Sequence, residues 1–220
     1  MKHLKLFATL CCAVLLFAGA KGNENGHEWV DLGLPSGTKW AACNVGATSP
    51  EEYGNYYAWG ETEPKTTYTW ATYKWCNGSN TTLTKYNTKS SYGTVDDKTV
   101  LDPEDDAARA NWGGAWRMPT FAEWTELCEN CEWTWTDDYN GTGVKGQVVT
   151  SNINDNSIFL PAAGCRYYYD LDYAGNYGIY WSSSLYTDYP SSAWDVCFYS
   201  DNVYRDYISR SYGRSVRPVL

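Results

Sequence analysis

Histidine is almost missing from this 220-residue sequence, which contains only two. His3 lies in the first segment, so His27 is the sole histidine in the rest of the chain. Nucleophilic catalysis by a Ser–His or Cys–His pair would depend on that single residue, and a zinc site with three histidine ligands is excluded. The sequence also lacks the phosphate-binding pattern G-x-x-x-x-G-K-[ST] and a dinucleotide-binding G-x-G-x-x-G placed after a predicted strand. We therefore expect a protein that is not an enzyme.

Positive charge is also scarce. The sequence has 17 lysines and arginines against 26 aspartates and glutamates, and its formal net charge is −9. A nucleic-acid-binding surface needs clustered basic residues that neutralise phosphates, so we expect no nucleic-acid partner. No apolar run after residue 20 is long enough to span a membrane, so no integral membrane segment is expected there.

The N-terminus has the pattern of a secretory signal peptide. A positive first segment is followed by the short apolar run 6–18 and by Ala18-Gly19-Ala20, which a signal peptidase would read. Lipid anchoring would need a cysteine directly after the run, whereas Cys11 and Cys12 lie inside it. We expect a signal peptide at residues 1–20 and an exported protein, whether periplasmic, displayed on the cell surface or secreted. Lipid anchoring stays open.

After cleavage we expect a disordered polar leader at residues 21–26 and one domain at 27–220, because about two hundred residues suffice for one well-packed core. An oxidising compartment permits disulfides, although their pairing cannot be deduced from the sequence. Cys128 and Cys131 form a C-x-x-C, but a zinc site would need a second such pair or histidines. Two half-buried thiols or a local disulfide explain that motif. The cysteines after cleavage are Cys43, Cys76, Cys128, Cys131, Cys165 and Cys197.

Two short helices are predicted near the middle of the chain. Thr120 followed by Glu123 is a capping box, and it predicts a helix from Phe121 to Asn130. The acidic segment 102–108 predicts a second helix start, with Asp102 as the cap and Pro103 in the first turn. A calcium site is the alternative for those carboxylates, although no calcium-binding motif is present and we expect no cofactor.

Short strands separated by Gly, Asn, Asp and Ser account for most of the other elements. Two strands are predicted within 27–45, around a turn at Leu34-Pro35-Ser36-Gly37. Further strands are predicted at 146–151, 157–161, 178–182, 193–199 and 215–220. Five tryptophans are predicted in the core: Trp40, Trp59, Trp116, Trp124 and Trp181. Arg117 and Arg217 are predicted as buried pairing residues that fix the long loops.

The last third of the chain is rich in tyrosine and aspartate, with no Lys after Lys145 and no Glu after Glu132. This composition is typical of antibody binding loops, where Tyr supplies contact area at low cost in entropy. Tyr also favours strands, but these runs do not alternate, so we predict exposed binding loops within 167–189 and 199–212. The predicted ligand-binding residues are Tyr167, Tyr168, Tyr169, Asp170, Asp172, Tyr173, Tyr177, Tyr186, Asp188, Tyr189, Asp201, Tyr204, Asp206, Tyr207, Ser209, Ser211 and Tyr212.

Several segments resemble the Fibrobacter succinogenes major paralogous domain, a family abundant in Bacteroidetes. The matching segments are V-D-L-G-L-P-S-G-T-K-W-A (30–41), C-N-V-G-A (43–47), P-E-E-Y-G-N-Y-Y-A-W-G-E-T (50–62), N-W-G-G-A-W-R-M-P-T-F-A-E-W (111–124), S-I-F-L-P-A-A-G (157–164), Y-W-S-S-S (180–184) and S-V-R-P-V (215–219). They follow one another in order from residue 30 to residue 219.

The resemblance implies the C-type lectin fold in its formylglycine-generating-enzyme branch. The fold class expected is therefore α+β, with two short helices, small antiparallel sheets and long irregular loops, and S-V-R-P-V as the closing strand. The active cysteines of the enzyme branch are not matched by Cys197, and the calcium-lectin signatures E-P-N and W-N-D are absent. The resemblance thus implies the fold without either activity.

Some proteins of that fold are diversified by retroelements that mutate adenines near the C-terminus. Asn codons then become Tyr, Asp or Ser codons but not Lys or Glu codons, and the segment 200–213 (S-D-N-V-Y-R-D-Y-I-S-R-S-Y-G) resembles such a product. The function expected is an exported, non-catalytic protein that binds a protein or glycan ligand at the cell exterior. Two alternatives stay open: an enzyme that acts on glycans or proteins through carboxylates or Cys197, and a structural cell-surface component.

Overall fold

The computed structural model of the protein describes residues 21–220, and the predicted signal peptide at 1–20 lies outside the described residues. Within 21–220 the chain forms eleven β-strands, two α-helices and four single-turn 3-10 helices. The strands are β1 (Lys21–Glu24), β2 (His27–Asp31), β3 (Lys39–Ala41), β4 (Cys131–Thr136), β5 (Gly146–Ser151), β6 (Ser157–Pro161), β7 (Cys165–Tyr167), β8 (Asp170–Asp172), β9 (Gly178–Leu185), β10 (Ser192–Tyr199) and β11 (Asn202–Ser209). The helices are α1 (Ala107–Trp112) and α2 (Phe121–Asn130).

The strands pair into four small antiparallel sheets. Three sheets have three strands each, in the orders β1-β2-β3, β4-β5-β6 and β9-β10-β11, and β7 and β8 form a separate hairpin. The expected α+β, C-type-lectin-like fold class is therefore wrong: the described residues are mainly small antiparallel sheets, with helices of only 6 and 10 residues. The physical reason is that polar aromatic stretches expected as loops pair as strands, in β7, β8 and β11.

The expected disordered leader at 21–26 is ordered in the structure. Lys21–Glu24 is the strand β1, which pairs with β2 in the register Lys21↔Val30 to Glu24↔His27. Asn25 and Gly26 connect the two strands with φ values of 53° and 88°. Positive φ at both positions is the conformation that a two-residue Asn-Gly hairpin turn favours. The polar composition of the segment concealed an edge strand followed by a tight turn.

Helix α2 confirms its predicted bounds and its capping box. Thr120 Oγ1 accepts the backbone N–H of Glu123 at 3.2 Å, and the Glu123 carboxylate accepts the backbone N–H of Thr120 at 2.8 Å. Helix α1 begins later than predicted. Its cap is Asp106, which accepts the backbone N–H groups of Ala108 and Arg109 at 2.9 and 3.0 Å. Asp102 forms ion pairs with lysines instead.

The five tryptophans predicted in the core are all buried, each with 0% of its surface exposed. The indole N–H groups of four of them, all but Trp40, donate to backbone carbonyls from distant parts of the chain. Trp59 donates to Ser182 O and Trp181 donates to Tyr57 O, both at 2.8 Å. These bonds fasten segment 57–60 against β9, because each indole is anchored at its polar end as well as packed along its apolar body.

Two fully buried arginines bind backbone carbonyls from distant segments. Arg217 donates to Ala41 O, Ala42 O and Phe159 O and to the side chain of Asn44, at 2.6 to 2.9 Å. The prediction that Arg217 is buried and paired is confirmed. Arg210, which was not predicted, has equivalent bonds to the chain around Tyr73, Lys85, Tyr86 and Pro190. Arg117 pairs with Glu123, but 40% of its side chain is exposed.

The predicted closing strand at 215–220 is not a continuous strand. The segment forms isolated bridges, Ser215 with Tyr180 and Val219 with both Trp40 and Arg117. Pro218 has no N–H to donate, so a continuous ladder cannot pass through it. Its carbonyl still accepts the N–H of Ala41 at 2.9 Å. The last residues therefore join β3, β9 and the chain before α2 without belonging to any one sheet.

Gly178 is expected to tolerate no side chain. It lies opposite Phe198 in the β9–β10 ladder, and a Cβ at Gly178 would lie 1.9 Å from Phe198 Cζ. Phe198 is fully buried against Trp133 and Tyr180, so it has little room to move. Gly178→Ala should cost about 1–3 kcal/mol of unfolding free energy, measured by urea denaturation. Adding Phe198→Leu should restore part of that loss, whereas equal stability of Gly178→Ala and wild type would contradict the packing.

Candidate functional site

The sheet β9-β10-β11 presents two different faces, because successive side chains of a strand point to opposite sides. On β11, Tyr204 and Asp206 lie opposite Cys197 and Asp195 of β10. Tyr207 lies opposite Trp194 and therefore on the other side of the sheet. We call the side with Tyr204 the pocket face. The other side is the helix face, because α2 packs against it, with Trp194 stacked on Phe121 at 4.1 Å.

The pocket face carries a concave site of about 270 Å³. Four of the predicted ligand-binding residues converge there from separate parts of the sequence: Tyr173, Tyr177, Tyr204 and Asp206. The structure adds four residues that were not predicted as ligand contacts: Ile179, Asp195, Cys197 and Arg214. We call this set the sheet pocket.

An ion pair forms the floor of the sheet pocket. Arg214 Nη1 lies 3.2 Å from Asp195 Oδ2, and the two side chains are only 6% and 2% exposed. The guanidinium also lies 5.1 Å from the ring centre of Trp181, so it packs on an aromatic face. A charge pair this deeply buried carries a large desolvation cost, which its mutual attraction repays only in part.

The polar atoms of that pair lack hydrogen-bond partners among the described residues. Nε of Arg214 and Oδ1 of Asp195 are buried and form no hydrogen bond, and Nη1 of Arg214 forms none either, although it lies within ion-pair distance of Asp195 Oδ2. A buried polar group without a partner costs about 1–3 kcal/mol, so each such group needs an explanation. Arg210 and Arg217 make the contrast clear, because every guanidinium nitrogen of both donates a hydrogen bond to the protein. Of these three buried arginines, only Arg214 has guanidinium nitrogens that form no hydrogen bond with the protein and could bind a ligand.

Burial dominates the protonation of the pocket groups. It raises the pKa of Asp195 to about 6, while Arg214 lowers it and Asp206 raises it further. Burial likewise raises the pKa of the Cys197 thiol to about 11. The pKa of the Tyr204 hydroxyl is raised as well, mainly by burial. At neutral pH the pocket therefore holds a carboxylate and a guanidinium on its floor, with neutral thiol and phenol groups beside them.

Tyrosine rings form the wall and rim of the sheet pocket. Ring centres lie 5.4 Å apart for Tyr173–Tyr177, 5.5 Å for Tyr177–Tyr199 and 6.4 Å for Tyr199–Tyr204. Tyr173 is 60% exposed and has a positive φ of 61°, a conformation uncommon for a residue of its size. The chain turns sharply at Tyr173 and brings its ring to the mouth of the pocket.

A second tyrosine group lies on the helix face. Tyr186 and Tyr207 stack in parallel with ring centres 3.7 Å apart, and Tyr189 lies 6.1 Å from Tyr207. Trp194 closes the group from below, 4.8 Å from Tyr186. Tyr186, Tyr189 and Tyr207 therefore cannot contact the same small ligand as Tyr204, although all were predicted as one contact surface.

A third group surrounds the β7–β8 hairpin. Tyr167 packs against Tyr168 and Tyr212, with ring centres 4.5 Å away in both cases. The backbone of Tyr168 exchanges two hydrogen bonds with Tyr68, at 2.9 and 3.2 Å, which fixes the hairpin to the rest of the chain. Tyr169 at the turn is 70% exposed. This group is an ordered hairpin surface, whereas exposed loops were predicted for this segment.

The remaining predicted residues do not converge. Asp170 is exposed at the end of the hairpin turn, and Asp172 pairs with Cys165. Asp188 and Asp201 are exposed in two connections. Ser211 is 1% exposed, its hydroxyl lies 3.0 Å from that of Ser209, and it does not line the sheet pocket. Ser211 is buried and not exposed as predicted, because segment 209–214 turns inward and places Arg210 and Arg214 in the interior.

His27 and Cys43 also share a concavity, which brings together the two residue types of a thiol enzyme. That concavity of about 470 Å³ also includes Glu28 and Trp112. However, the imidazole stacks flat on Trp112 at 3.7 Å, and no hydrogen bond to Cys43 is present in the described part of the chain. Burial raises the pKa of the Cys43 thiol. A nucleophile–base pair needs that missing hydrogen bond and a thiolate.

All six cysteines of residues 21–220 are free thiols in the structure. Within the same residues, no helix is long and apolar enough to cross a bilayer. No group of three or more His, Cys, Asp or Glu side chains in this range is arranged to hold a metal ion.

Comparison with known proteins finds one family model, described as "Domain of unknown function (DUF8237)", which matches residues 148–219. The match covers less than half of the chain but includes β9, β10, β11 and every residue of the sheet pocket. No curated protein matches the chain, and no solved structure does. The resemblance to the Fibrobacter succinogenes major paralogous domain is not tested by these comparisons and stays a prediction.

Sequence reasoning missed the two residues at the floor of the pocket. Asp195 was available as a signal, because it is a lone charge inside the otherwise apolar and aromatic run A-W-D-V-C-F-Y of β10. A charge at an inward strand position requires a partner. The partner Arg214 could not be identified in the same way, since two other arginines, Arg210 and Arg217, lie within four residues of it.

Proposed function

We propose that this protein is a non-catalytic ligand-binding protein and that its ligand occupies the sheet pocket. The observation that carries the proposal is the buried Asp195–Arg214 pair, whose Nε, Nη1 and Oδ1 atoms form no hydrogen bond within the described residues. A ligand that forms hydrogen bonds with these atoms removes the desolvation penalty that they carry in the folded protein. Tyr173, Tyr177 and Tyr204 supply the aromatic contact area around that polar floor.

The chemistry of Cys197 supports binding over thiol catalysis. Its pKa is raised to about 11 by burial, so very little thiolate exists at neutral pH. His27, the sole histidine of the described residues, lines a different concavity and could not activate it. A thiol nucleophile would need a lowered pKa or an adjacent base, and the pocket supplies neither.

A glycoside hydrolase is the second candidate, and a specific observation favours it. Asp195 and Asp206 are cross-strand partners in one pocket, and burial raises the pKa of Asp195 to about 6. Glycosidases use a pair of carboxyl groups, one of which has a raised pKa and acts as the general acid. Against this, the ion pair with Arg214 holds Asp195 at the floor as a charged group at neutral pH, which is the wrong state for a general acid.

The two faces of β11 provide a matched pair of variants. We expect Tyr204→Ala to lower the affinity for any pocket ligand at least tenfold. An aromatic ring that lines the site and packs on the ligand contributes about 1.4 kcal/mol or more, and about 1.4 kcal/mol corresponds to a tenfold change in affinity. Tyr207→Ala removes the same side chain from the helix face and should leave that affinity unchanged. A glycan array followed by calorimetry on each hit measures both.

Loss of array binding in Tyr207→Ala but not in Tyr204→Ala would overturn the proposal, because the ligand would then lie on the helix face. The glycosidase candidate is separated by following product formation with every glycan that binds. Asp195→Asn should abolish turnover if Asp195 is a catalytic acid. Binding without product in the wild-type protein favours the binding function.

Export and diversification belong to the same proposal and need their own tests. Mass spectrometry of the protein from the native cell envelope should find a mature N-terminus at Lys21. For the retroelement, DNA flanking the gene should contain a reverse transcriptase and a near-copy of the segment that encodes 200–213. If it contains neither, the diversification proposal fails and the tyrosines of this segment are fixed residues.

A further inference from the structure

We infer that the sheet pocket receives one neutral sugar residue, which presents two adjacent hydroxyl groups to the Asp195–Arg214 pair. This inference rests on the proposed function and names its ligand class. The pair is a compact group with one acceptor side and one donor side, since Asp195 as a carboxylate only accepts hydrogen bonds and Arg214 only donates them. The complementary group must donate and accept at neighbouring positions.

Two neighbouring hydroxyls meet that requirement. Each hydroxyl both donates and accepts, so one can donate to the Asp195 carboxylate while the next accepts from the Arg214 guanidinium. Hydrogen bonds to charged partners are the strong ones, and both groups here are charged. A primary amide also has a donor and an acceptor side by side, but it is small and would leave the tyrosine wall without contact.

The wall of the pocket suits a sugar ring. Tyr173, Tyr177 and Tyr204 surround the floor with ring faces and edges, linked by ring distances of 5.4 to 6.4 Å through Tyr199. Aromatic faces carry partial negative charge and attract the C–H groups on the apolar side of a sugar. The volume of about 270 Å³ limits the ligand to one ring at the floor, with the exposed Tyr173 at the mouth.

The net charge of the pocket argues against an acidic ligand, and the position of Arg214 at the floor argues against a basic group there. Arg214 contributes one positive charge, and Asp195 and Asp206 contribute two negative ones at neutral pH, so the pocket is negative overall. A uronic or sialic acid would bring its carboxylate towards both aspartates. An amine or guanidine of a ligand would approach Arg214, which lies only 3.2 Å from Asp195. A neutral ligand avoids both repulsions.

The test follows the side-chain Nε–H signals of the arginines by ¹⁵N NMR in the intact mature protein. The probes are methyl α-mannopyranoside, methyl β-galactopyranoside and methyl β-glucopyranoside, with methyl α-galacturonate, acetamide and methylguanidinium as acidic, amide and basic comparisons. At least one neutral pyranoside should shift the Arg214 signal. The Arg210 and Arg217 signals should not move, because their Nε atoms already donate to Tyr73 and Asn44.

The deoxy analogue of the pyranoside that binds should have about tenfold to a hundredfold lower affinity, since a hydrogen bond to a charged group is lost. Tyr204→Ala keeps the ion pair and should weaken the pyranoside, whereas Tyr207→Ala should not.

The outcomes separate the two proposals. If only the galacturonate, acetamide or methylguanidinium shifts the Arg214 signal, the sugar inference fails and the pocket remains a binding site. An unchanged affinity of the deoxy analogues also overturns the sugar inference. If no probe moves the Arg214 signal and every array hit survives Tyr204→Ala, the proposed function fails together with the inference.

Discussion

Arg217→Met should leave the protein largely unfolded or insoluble. The guanidinium of Arg217 donates to Ala41 O, Ala42 O, Phe159 O and Asn44 Oδ1, and its side chain is 0% exposed. Methionine fills much of the same space but donates nothing, so four buried acceptors lose their partners. At about 1–3 kcal/mol for each unsatisfied group, the loss is comparable with the whole stability of a domain, which is about 5–15 kcal/mol.

Urea denaturation followed by far-UV circular dichroism measures the effect. Arg117→Met is the matched control, because Arg117 is also an arginine paired with a polar side chain but is 40% exposed. That exposure lets water replace the lost interaction, so the control should lose about 1 kcal/mol or less. An Arg217→Met protein as stable as Arg117→Met would show that the four bonds do not hold the segments around 41, 44 and 159 together.

Much of the framework could be predicted from local pattern. The strands β5 and β6 and the helix α2 have the bounds that the sequence indicates, because each combines a clear periodicity with a local start signal. The five core tryptophans were predictable as well, since such large apolar side chains are seldom left outside a core when they lie in predicted elements.

Strand β11 could not be predicted in the same way. Its sequence N-V-Y-R-D-Y-I-S has charged residues on both faces, because Arg205 is exposed on the helix face and Asp206 on the pocket face. Edge strands often carry such charges, which discourage pairing with other chains. The composition therefore resembled a loop. Similar reasoning applies to β1, where polarity concealed an Asn-Gly hairpin.

The site was predicted in part. Four of the residues selected for their Tyr-rich and Asp-rich surroundings line the pocket, but composition does not report which face of a strand a side chain occupies. Tyr204 and Tyr207 are three residues apart. In a strand, side chains an odd number of residues apart point to opposite faces, so these two rings lie on different sides of the sheet, whereas a loop would not require this. Once a strand is assigned to 202–209, the single predicted surface divides into a pocket and a separate stack.

The three arginines of the segment 210–217 show how one short sequence can serve two purposes. Every guanidinium nitrogen of Arg210 and Arg217 donates a hydrogen bond to the protein, so these two residues fix the segment at both ends. Arg214 lies between them and forms an ion pair with Asp195, but its Nε and Nη1 atoms form no hydrogen bond. A rigid backbone on both sides keeps an incompletely satisfied group at a fixed position, as a preorganised binding site requires.

Arg214→Met should destabilise the protein by about 3–5 kcal/mol near neutral pH, the usual cost of leaving a buried charge without its partner. The stranded charge is Asp195, which is 2% exposed. The double variant Asp195→Asn/Arg214→Met removes both charges and should recover most of that loss, because exchanging a buried ion pair for uncharged groups is often neutral or stabilising. Chemical denaturation of the wild type, both single variants and the double variant gives the coupling energy directly.

The pH dependence distinguishes a stranded carboxylate from a packing defect. Arg214 lowers the pKa of Asp195, and burial and Asp206 raise it, so removing Arg214 must raise it beyond its wild-type value of about 6. A carboxyl with a higher pKa in the folded than in the unfolded protein contributes stability at low pH, and that contribution is lost as pH rises through the folded pKa. Arg214→Met should therefore regain stability on acidification towards about pH 5, more than the double variant does.

Binding by the double variant completes the test. If the Asp195–Arg214 pair serves only the fold, the double variant should be stable and should still bind whatever ligand the wild type binds. If the pair exists for the ligand, the double variant should be stable but lose binding at least tenfold, because both charged partners of the ligand are gone. Stability retained together with binding lost is the expected result. Such a protein would keep its fold, its tyrosine wall and its pocket volume, so the loss of affinity would belong to the ion pair itself.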